Sequence, residues 1–304
     1  MVSTEDTAKK LFCFGFGYTC SYLAQHLIDD GWSIGGTTTD PDNCEFLRDH
    51  GIDAILFNQS HPISNIENYL KDTTHILLSI PPNEYGDISY ETHGHELCHL
   101  KNLEWIGYLS TTAVYGNQDG NWVNEETPPA PTSRRGSQRL IAENKWYEFY
   151  KRHNLPLHIF RLAGIYGPGR SAIDTVRMGT ARRIKKEGHV FNRVFVDDIV
   201  QTLIASMNAP KPGEIYNVAD DMPAPSHEVI EYAYNLLNME PPPIIPFEQA
   251  DLAPIVRSFY SDNKRIKNDK IKEELGVNLI CPDFKSGLDA CLEFEQEIEQ
   301  AFED

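Results

Sequence analysis

Two arginines four residues apart carry the first chemical signal in an otherwise acidic chain. They are Arg135 and Arg139 of the segment PTSRRGSQRLIAE at 131–143, where Arg134 is a third arginine. A spacing of four places both side chains on one face of a helix. A guanidinium binds carboxylates and phosphates, but it does not release a proton at neutral pH. Residue types and spacing alone do not assign the pair a role, because that role depends on what the segment faces in the fold.

A glycine turn follows the first apolar run, in FGFGYTC at 14–20. Gly15 permits a tight turn, Gly17 lets the backbone approach a pyrophosphate, and Cys20 is small enough where a helix meets a strand. Backbone N–H groups near Tyr18 and Thr19, at the start of the helix, would receive the anion. The position of the turn after a first strand predicts a dinucleotide site, and a tight turn without a ligand is the alternative.

The tip of the second apolar run bears on the choice of cofactor. An acid about 20 residues after the glycine turn usually binds the ribose 2′-hydroxyl of NAD. Here Thr37, Thr38 and Thr39 occupy the tip, and Asp40 comes slightly later. Hydroxyl groups can donate to a 2′-phosphate, so NADP is favoured over NAD, although no arginine is evident nearby. A threonine-rich turn without a ligand is the alternative.

The segment HGHELCH at 93–99 formally matches the zinc motif H-E-x-x-H. His95 and His99 would share a helix face, and Glu96 would activate a zinc-bound water. The segment falls on a helix between two strands of the alternating pattern, however, and no third ligand follows at the expected spacing. We therefore expect no metal site here.

The elements that must position these residues alternate along the first half of the chain. Strands are predicted at 10–15, 32–37, 53–58, 74–80, 105–112 and 155–162, with a helix at 18–31 and further helical stretches between the later strands. Continuous apolar strands separated by helices are typical of a parallel sheet that is covered on both faces, which is an open α/β fold. Beyond 162 the predicted elements are a helix at 197–210, a strand at 213–219, and helices at 226–238, 263–275 and 284–302.

Composition excludes several functional classes. The net charge of −18, from 45 acidic and 27 basic residues, disfavours nucleic acid and anionic membranes as partners. The six cysteines are scattered without CxxC pairs, which favours free thiols in a reducing compartment. The N-terminal residues do not resemble a signal peptide, and no segment approaches the ~20 apolar residues of a membrane span. We therefore expect a cytoplasmic protein.

Several motifs occur in an order that resembles a known family. They are STTAVYG at 110–116, the segment PTSRRGSQRLIAE at 131–143, FRLAGIYGPGR at 160–170, RVFVDDIV at 193–200, GEIYNVADD at 213–221 and DNKRIKNDKIKEELG at 262–276. Together they resemble the extended short-chain dehydrogenase/reductases, which include nucleotide-sugar epimerases and dehydratases, and more closely the atypical members of that group. The resemblance covers nearly the whole chain from about Leu11.

The resemblance implies a Rossmann doubly wound parallel sheet with a smaller, mostly helical C-terminal substrate lobe. Residues 1–162 plus 191–221 would form the dinucleotide-binding domain, and 163–190 plus 222–304 the substrate lobe. Beyond the glycine turn and the three threonines, the positions expected to contact the cofactor are Ile80, Pro81, Ser110, Arg139, Leu162 and Gly164. A homodimer, formed through the helices packed on the fourth and fifth strands, is a further expectation.

The catalytic positions of the family are only partly kept. Thr111 matches the serine or threonine that faces the nicotinamide, but Arg135 and Arg139 stand where the family has the tyrosine and lysine of Tyr-x-x-x-Lys. Arg139 could still donate to ribose hydroxyls, whereas Arg135 cannot act as the acid. Tyr166 and Tyr115 are candidate replacements, and each could instead pack the loop under the cofactor.

Arg135 could instead hold an anionic substrate, with Arg170 and Arg193 as weaker candidates for the same role. Two functions remain open at this level. The favoured one is an NAD(P)-dependent oxidoreductase or epimerase/dehydratase-like enzyme with a rearranged proton donor, acting on an unidentified small substrate. The other is a non-catalytic NADP-binding sensor or scaffold.

Overall fold

The chain divides into two compact units. The computed structural model describes residues 9–303, so residues 1–8, on which the signal-peptide expectation partly rests, lie outside the described residues. The first unit contains the chain through Ser110 together with Gln138–Phe160 and Leu203–Ile215. The second contains Thr111–Ser137, Arg161–Thr202 and the chain from Tyr216 onward.

A seven-stranded parallel sheet confirms the predicted Rossmann architecture. Its strand order is β11-β7-β5-β4-β1-β2-β3, and the strands of the sheet follow the apolar runs closely. The strands of this sheet and of three smaller two-stranded sheets are, in chain order, β1 (Lys10–Phe14), β2 (Ser33–Thr38), β3 (Asp53–Leu56), β4 (His75–Leu78), β5 (Trp105–Thr111), β6 (Trp122–Val123), β7 (Leu157–Leu162), β8 (Gly164–Tyr166), β9 (Ile184–Lys185), β10 (Arg193–Phe195), β11 (Ile215–Val218), β12 (Ile245–Pro246) and β13 (Arg265–Ile266).

The point where the strand order reverses lies between β1 and β4. β1 pairs in parallel with β2 on one side and with β4 on the other, and the chain reaches β4 only after β2 and β3 have extended the sheet in the opposite direction. Loops that leave β1 and β4 therefore diverge to opposite faces and open a crevice at the carboxyl ends of the strands. This is where doubly wound sheets bind their ligands.

The helices lie between the strands and in the C-terminal part. They are α1 (Tyr18–Asp29), α2 (Pro41–Asp49), α3 (Ile66–Leu70), α4 (Ile88–Leu97), α5 (Arg134–His153), α6 (Ala172–Arg177), α7 (Val196–Asn208), α8 (Ser226–Leu236), α9 (Pro254–Phe259), α10 (Asp269–Leu275) and α11 (Phe284–Glu303). Two of their starts are readable from sequence, because Asp40 and Asp87 each accept a backbone N–H as the cap of the following helix.

Two-stranded pairings supplement the helices of the second unit, and one of them corrects a predicted boundary. β8 pairs with β10, β9 with β12, and β6 with β13. The helix expected at 263–275 begins only at Asp269, because Arg265 and Ile266 pair as β13 with Trp122 and Val123. Periodicity within the segment could not show this pairing, since the partner strand lies more than a hundred residues away.

Each unit has its own apolar core. In the first unit, aromatic side chains from β1, β5 and α5 pack together, with Phe12, Tyr108 and Trp146 fully buried. In the second unit, α6, α8 and α11 pack around Ile173, Ala233 and Leu288. Among residues 9–303, no helix combines the length and the apolar character needed to cross a bilayer.

Candidate functional site

The glycine turn between β1 and α1 is held at the strand-order reversal. Gly15 adopts φ 87°, a conformation that side chains rarely tolerate. A Cβ on Gly15 would lie 2.8 Å from Cγ1 of Ile80, which follows β4. The Gly15 N–H donates to the Thr37 hydroxyl at 2.8 Å, and the Cys20 thiol donates to the Gly15 carbonyl at 3.3 Å. Both the conformation and the close approach therefore require glycine.

The start of α1 is built to receive an anion. Gly17 is the cap residue, it supplies no side-chain hydrogen bond, and the first turn contains no acid. A Cβ on Gly17 would meet no atom within 4 Å, so open space lies over the turn. Uncapped N–H groups at the end of a 12-residue helix carry the positive end of its dipole. Tyr18 and Thr19 occupy this first turn, as the motif predicts.

The threonines at the tip of β2 differ in burial and in the hydrogen bonds that they already make. Thr37 is buried and accepts the Gly15 N–H, which ties β2 to the glycine turn. The Thr38 hydroxyl accepts from the Asp40 N–H and from the Asn43 side chain. Thr39 is exposed. The Asp40 carboxylate accepts the Asp42 N–H at 3.0 Å as the cap of α2, so one of its oxygens already serves the helix.

At the end of β5, a polar linkage joins the strand to α5 within the first unit. The Ser110 hydroxyl donates to the carboxylate of Glu143, and both residues are buried. Arg139, one turn earlier on α5, donates to the Leu109 carbonyl at 2.8 Å and to the Tyr108 hydroxyl at 3.3 Å. Burial raises the pKa of Tyr108, so its hydroxyl stays protonated. Arg139 is thus partly committed to the strand that ends at Ser110.

In the second unit, Thr111 and Arg135 lie on segments that pack closely together. The Thr111 hydroxyl accepts the Ala113 N–H at 3.2 Å and caps a short 3₁₀ helix at Thr112–Tyr115. A Cβ on Gly136 would lie 2.7 Å from the Ala113 carbonyl oxygen, so α5 needs glycine here to approach that helix. Arg135, the neighbour of Gly136, is exposed and makes no hydrogen bond or ion pair with any residue in 9–303.

The two candidate tyrosines of the second unit are both buried. Tyr115 donates to Asn217 at 2.8 Å and accepts from Arg161 at 2.9 Å. Tyr166 donates to the Asp283 carbonyl at 3.2 Å. Burial raises the pKa of each phenol, so each keeps its proton at neutral pH. Tyr115 is enclosed by its polar partners, whereas Tyr166 borders a cavity.

Three expected cofactor contacts lie at loop and strand ends. Pro81, which follows Ile80 in the first unit, is exposed. In the second unit, Leu162 is buried at the end of β7. Gly164 opens β8, and a Cβ there would lie 3.2 Å from the Asn192 carbonyl oxygen.

The H-E-x-x-H segment lies on and just after α4. The rings of His95 and His99 are 4.5 Å apart, and the His99 ring contacts the Cys98 thiol at 3.4 Å. Nowhere in residues 9–303 do three or more His, Cys, Asp or Glu side chains form a group that could hold a metal ion.

A dinucleotide fits the first unit on these observations. The glycine conformation at Gly15, the open space over Gly17 and the uncapped start of α1 together form a cradle for a pyrophosphate. Fold and turn therefore define a Rossmann nucleotide-binding protein. Residues 15–219 match the NAD dependent epimerase/dehydratase family, and the chain belongs to this family.

Relatives support the assignment over most of the chain. Protein YeeZ of Escherichia coli (strain K12) is 31% identical over 250 residues, which cover 77% of this chain and 86% of that protein. A solved structure of a functionally unknown conserved protein from Silicibacter pomeroyi DSS is 46% identical, with a TM-score of 0.88 over 94% of this chain and 99% of that one. The expected extended short-chain dehydrogenase/reductase family is thereby confirmed.

A more distant structure shows the fold alone. UDP-glucuronic acid 4-epimerase from Bacillus cereus, solved in complex with UDP-glucuronic acid and NAD, is 16% identical, with a TM-score of 0.76 over 95% of this chain and 99% of that one. It confirms the Rossmann sheet with a helical C-terminal part.

Sequence reasoning did not single out two buried acids. Glu143 is 3% exposed and accepts a hydrogen bond from Ser110. The only hint of it in the sequence is its place as the last residue of the segment 131–143. Asp220 is 2% exposed, and one of its carboxylate oxygens has no hydrogen-bond partner. A buried acid is not distinguishable from an exposed one by residue type, which is why the sequence alone did not reveal them.

Proposed function

We propose that the protein is an NAD(P)-dependent oxidoreductase or epimerase/dehydratase-like enzyme that acts on a small, anionic substrate. The observation that carries this proposal is the intact phosphate cradle of the first unit, where Gly15 is fixed against Ile80 beside an uncapped helix start. When bound, a nicotinamide accepts or supplies hydride. The protein's own residues bind the dinucleotide, orient the substrate and hold its charge.

Cofactor binding is proposed for residues 1–162 plus 191–221, and substrate binding for 163–190 plus 222–304. The cofactor-binding positions are those predicted from the sequence: Gly15, Gly17, Tyr18, Thr19, Cys20, Thr37, Thr38, Thr39, Ile80, Pro81, Ser110, Arg139, Leu162 and Gly164. NADP is proposed over NAD, because Thr39 is exposed at the tip of β2 and the Asp40 carboxylate already caps α2.

Arg135 is proposed to hold an anionic group of the substrate. Its guanidinium is exposed and has no partner among the described residues, so binding an anion would break no existing contact. Thr111 is proposed to hydrogen-bond the reacting carbonyl, since its oxygen accepts the Ala113 N–H and its own proton remains to be donated. Tyr166 is proposed as proton donor, which would require its hydroxyl to leave the Asp283 carbonyl.

The first experiment separates binding from chemistry. Purified protein is titrated with NADPH and NADH, and nicotinamide oxidation or reduction is followed with carbonyl and nucleotide-sugar substrates, UDP-glucuronic acid and dTDP-glucose among them. We expect NADPH to bind more tightly and an anionic substrate to turn over. Failure of both cofactors to bind would refute the proposal, and tighter NADH binding would refute the NADP preference. Binding without turnover across the panel would favour a sensor.

A second experiment tests the two arginines directly. The double variant Arg135→Tyr/Arg139→Lys restores the family pair at the start of α5. If the native protein uses a rearranged proton donor, the double variant loses activity on the anionic substrate. If the double variant instead gains an activity that the native protein lacks, the native site no longer performs the family's chemistry.

The remaining expectations concern partners and location. The charge of −18 supports a small-molecule substrate rather than nucleic acid or a membrane surface. A cytoplasmic location is proposed because the cysteines are free thiols. A homodimer is proposed from the family resemblance. Sedimentation equilibrium at several protein concentrations tests the dimer, and a monomer mass throughout would exclude it.

A further inference from the structure

A small cavity in the second unit is bordered by cations. It has a volume of about 220 Å³ and lies among β8, β10, α6, α8 and α11. Arg170 and Arg193 line it, and no carboxylate belongs to its lining. In a chain with 45 acidic and 27 basic residues, a lining with two arginines and no acid is an unusual local environment. It indicates a preference for negative charge.

Arg193 is the better-held of the two arginines in the lining. Its Nη1 atom donates to the carbonyls of Phe191 at 3.1 Å and Ala224 at 3.0 Å, which fixes the guanidinium in place. The Nη2 and Nε atoms have no hydrogen-bond partner among the residues that the structure describes. Burial lowers the pKa of Arg193, which means that its charge is poorly solvated. An anion in the cavity could accept hydrogen bonds from these two atoms and would add to the negative charge that Asp220 already presents to Arg193.

No nearby acid forms a hydrogen bond with the Arg193 guanidinium among the described residues. The Asp174 carboxylate accepts from the backbone and hydroxyl of Ser171 at 2.7 and 2.6 Å, as part of the cap of α6. Asp283 accepts two N–H groups at the start of α11. Asp220 is buried and forms no ion pair within 4 Å with Arg193 among the described residues, although the two charges interact. Burial raises the pKa of Asp220 to about 8, while the positive charge of Arg193 lowers it.

Part of the cavity lining is apolar. Val229, Ile230, Phe284 and Leu288 form this wall. The volume equals that of about seven water molecules, and it lies below the ~300–1,000 Å³ of typical ligand pockets. A nucleotide sugar is too large for this space. A molecule that matches both the arginines and the apolar part of the lining has one anionic group and a short hydrocarbon chain.

We infer that this cavity is a binding site for a short-chain monocarboxylate, whose carboxylate pairs with Arg193 and whose chain lies against Val229, Ile230 and Leu288. Arg170, which is exposed at the cavity, adds a second positive charge. The inference does not depend on the proposed reaction, because it requires neither the cofactor nor turnover.

Titration of the full-length protein, without cofactor, tests the inference by calorimetry or ligand-observed NMR. Hexanoate is the probe, with hexan-1-ol and inorganic phosphate as comparisons. Hexanoate is expected to bind at least about tenfold more tightly than either, because only hexanoate offers both charge and chain. Equal binding of phosphate would overturn the role of the apolar wall, and equal binding of hexan-1-ol would overturn the role of Arg193.

Two variants change the cavity in different ways. Arg193→Gln removes the charge and is expected to weaken hexanoate binding by about 10- to 100-fold. Ser226→Asp places a carboxylate in the lining while leaving Arg193 and its backbone bonds intact, and an acid at the start of α8 suits the helix dipole, so this variant is expected to fold and to lose hexanoate binding.

Arg182→Gln is the matched control, because Arg182 is an exposed arginine of the same unit outside the cavity lining. It should bind hexanoate like the native protein. Native-like binding by both Arg193→Gln and Ser226→Asp, or no hexanoate binding by the native protein at tens of millimolar, would overturn the inference. NADPH titration of the same samples reports separately on the proposed function.

Discussion

The starts of α1 and α5 are both helix N-termini, and they are built in opposite ways. At α1, Gly17 leaves the first N–H groups without a side-chain cap and the first turn is uncharged. At α5, the Ser133 hydroxyl accepts the Gly136 N–H at 3.1 Å, and Arg134 and Arg135 occupy the first turn. The helix dipole attracts an anion at such an end and disfavours a cation.

The difference separates a helix start that suits an anion from one that does not. At α1, the open space over Gly17 and the uncapped N–H groups suit a pyrophosphate. At α5, Arg134 and Arg135 place two positive charges in the first turn, where the helix dipole does not favour them. Arg135 therefore calls for a functional explanation, whereas Arg139 has a structural one in its bond to the Leu109 carbonyl.

The largest expected effect comes from Gly15→Ala. The new Cβ would lie 2.8 Å from Ile80 in a backbone conformation of φ 87°. We expect a loss of about 1–3 kcal/mol in the free energy of unfolding and at least a tenfold loss of cofactor affinity, measured by denaturant unfolding and NADPH titration. Gly31→Ala is the matched control, because Gly31 has φ 81° and open space around it. Equal affinity losses in both variants would contradict a specific role for the turn.

Glu143→Ala tests the linkage between β5 and α5. It removes the acceptor of the buried Ser110 hydroxyl, and we expect a loss of about 1–3 kcal/mol in the free energy of unfolding. Glu148→Ala, an exposed glutamate on the same helix, should stay within about 0.5 kcal/mol of the native protein. If urea unfolding shows the same small change for both, the Ser110 linkage contributes little to stability.

Buried histidines and the buried acid Asp220 are expected to give opposite pH dependences of stability. In the first unit, burial lowers the pKa of His75 and His158 to about 4, so the unfolded chain binds more protons below about pH 6.5 and stability falls as the pH drops from there towards 4. In the second unit, burial raises the pKa of Asp220 to about 8. The folded state then holds a proton that the unfolded state has released, so stability falls as the pH rises from about 4 through 8.

The window between pH 6.5 and pH 8 isolates the contribution of Asp220 from that of these histidines. Between pH 6.5 and pH 8 the native protein should lose about 1–2 kcal/mol of its free energy of unfolding through Asp220, and Asp220→Asn should not. The stability of the variant relative to the native protein should therefore rise with pH. Urea unfolding at pH 6.5, 7.2 and 8 measures the trend. Parallel curves for the two proteins would show that Asp220 does not titrate there. Asp53→Asn, at an exposed position, serves as the control.

The smallest expected effect on stability belongs to Arg135→Gln. Arg135 is exposed and has no partner among the described residues, so the free energy of unfolding should change by less than about 0.5 kcal/mol. Affinity for an anionic substrate should nevertheless fall. A substantial loss of stability with unchanged substrate affinity would show instead that Arg135 is a structural residue, and the comparison with α1 would lose its meaning.

Local signals in the sequence predicted the strands of the sheet and the glycine turn. The apolar runs of β1, β4 and β5 and the glycines at 15 and 17 are local signals, because strand formation and a left-handed turn depend on residues close together in the chain. Which distant groups contact these elements depends on how the chain folds. Thr37 bonds Gly15 across 22 positions and Glu143 reaches Ser110 across 33.

The same reason explains the arginines. The spacing of Arg135 and Arg139 predicted a shared helix, but not that Arg139 would bond β5 while Arg135 stays exposed. The sequence also could not show that Arg193 would line a cavity. Burial and hydrogen bonding depend on which distant segments pack together, and an arginine has the same residue type in every environment. The sequence determined where the charges lie along the chain, and the fold decided which of them have partners.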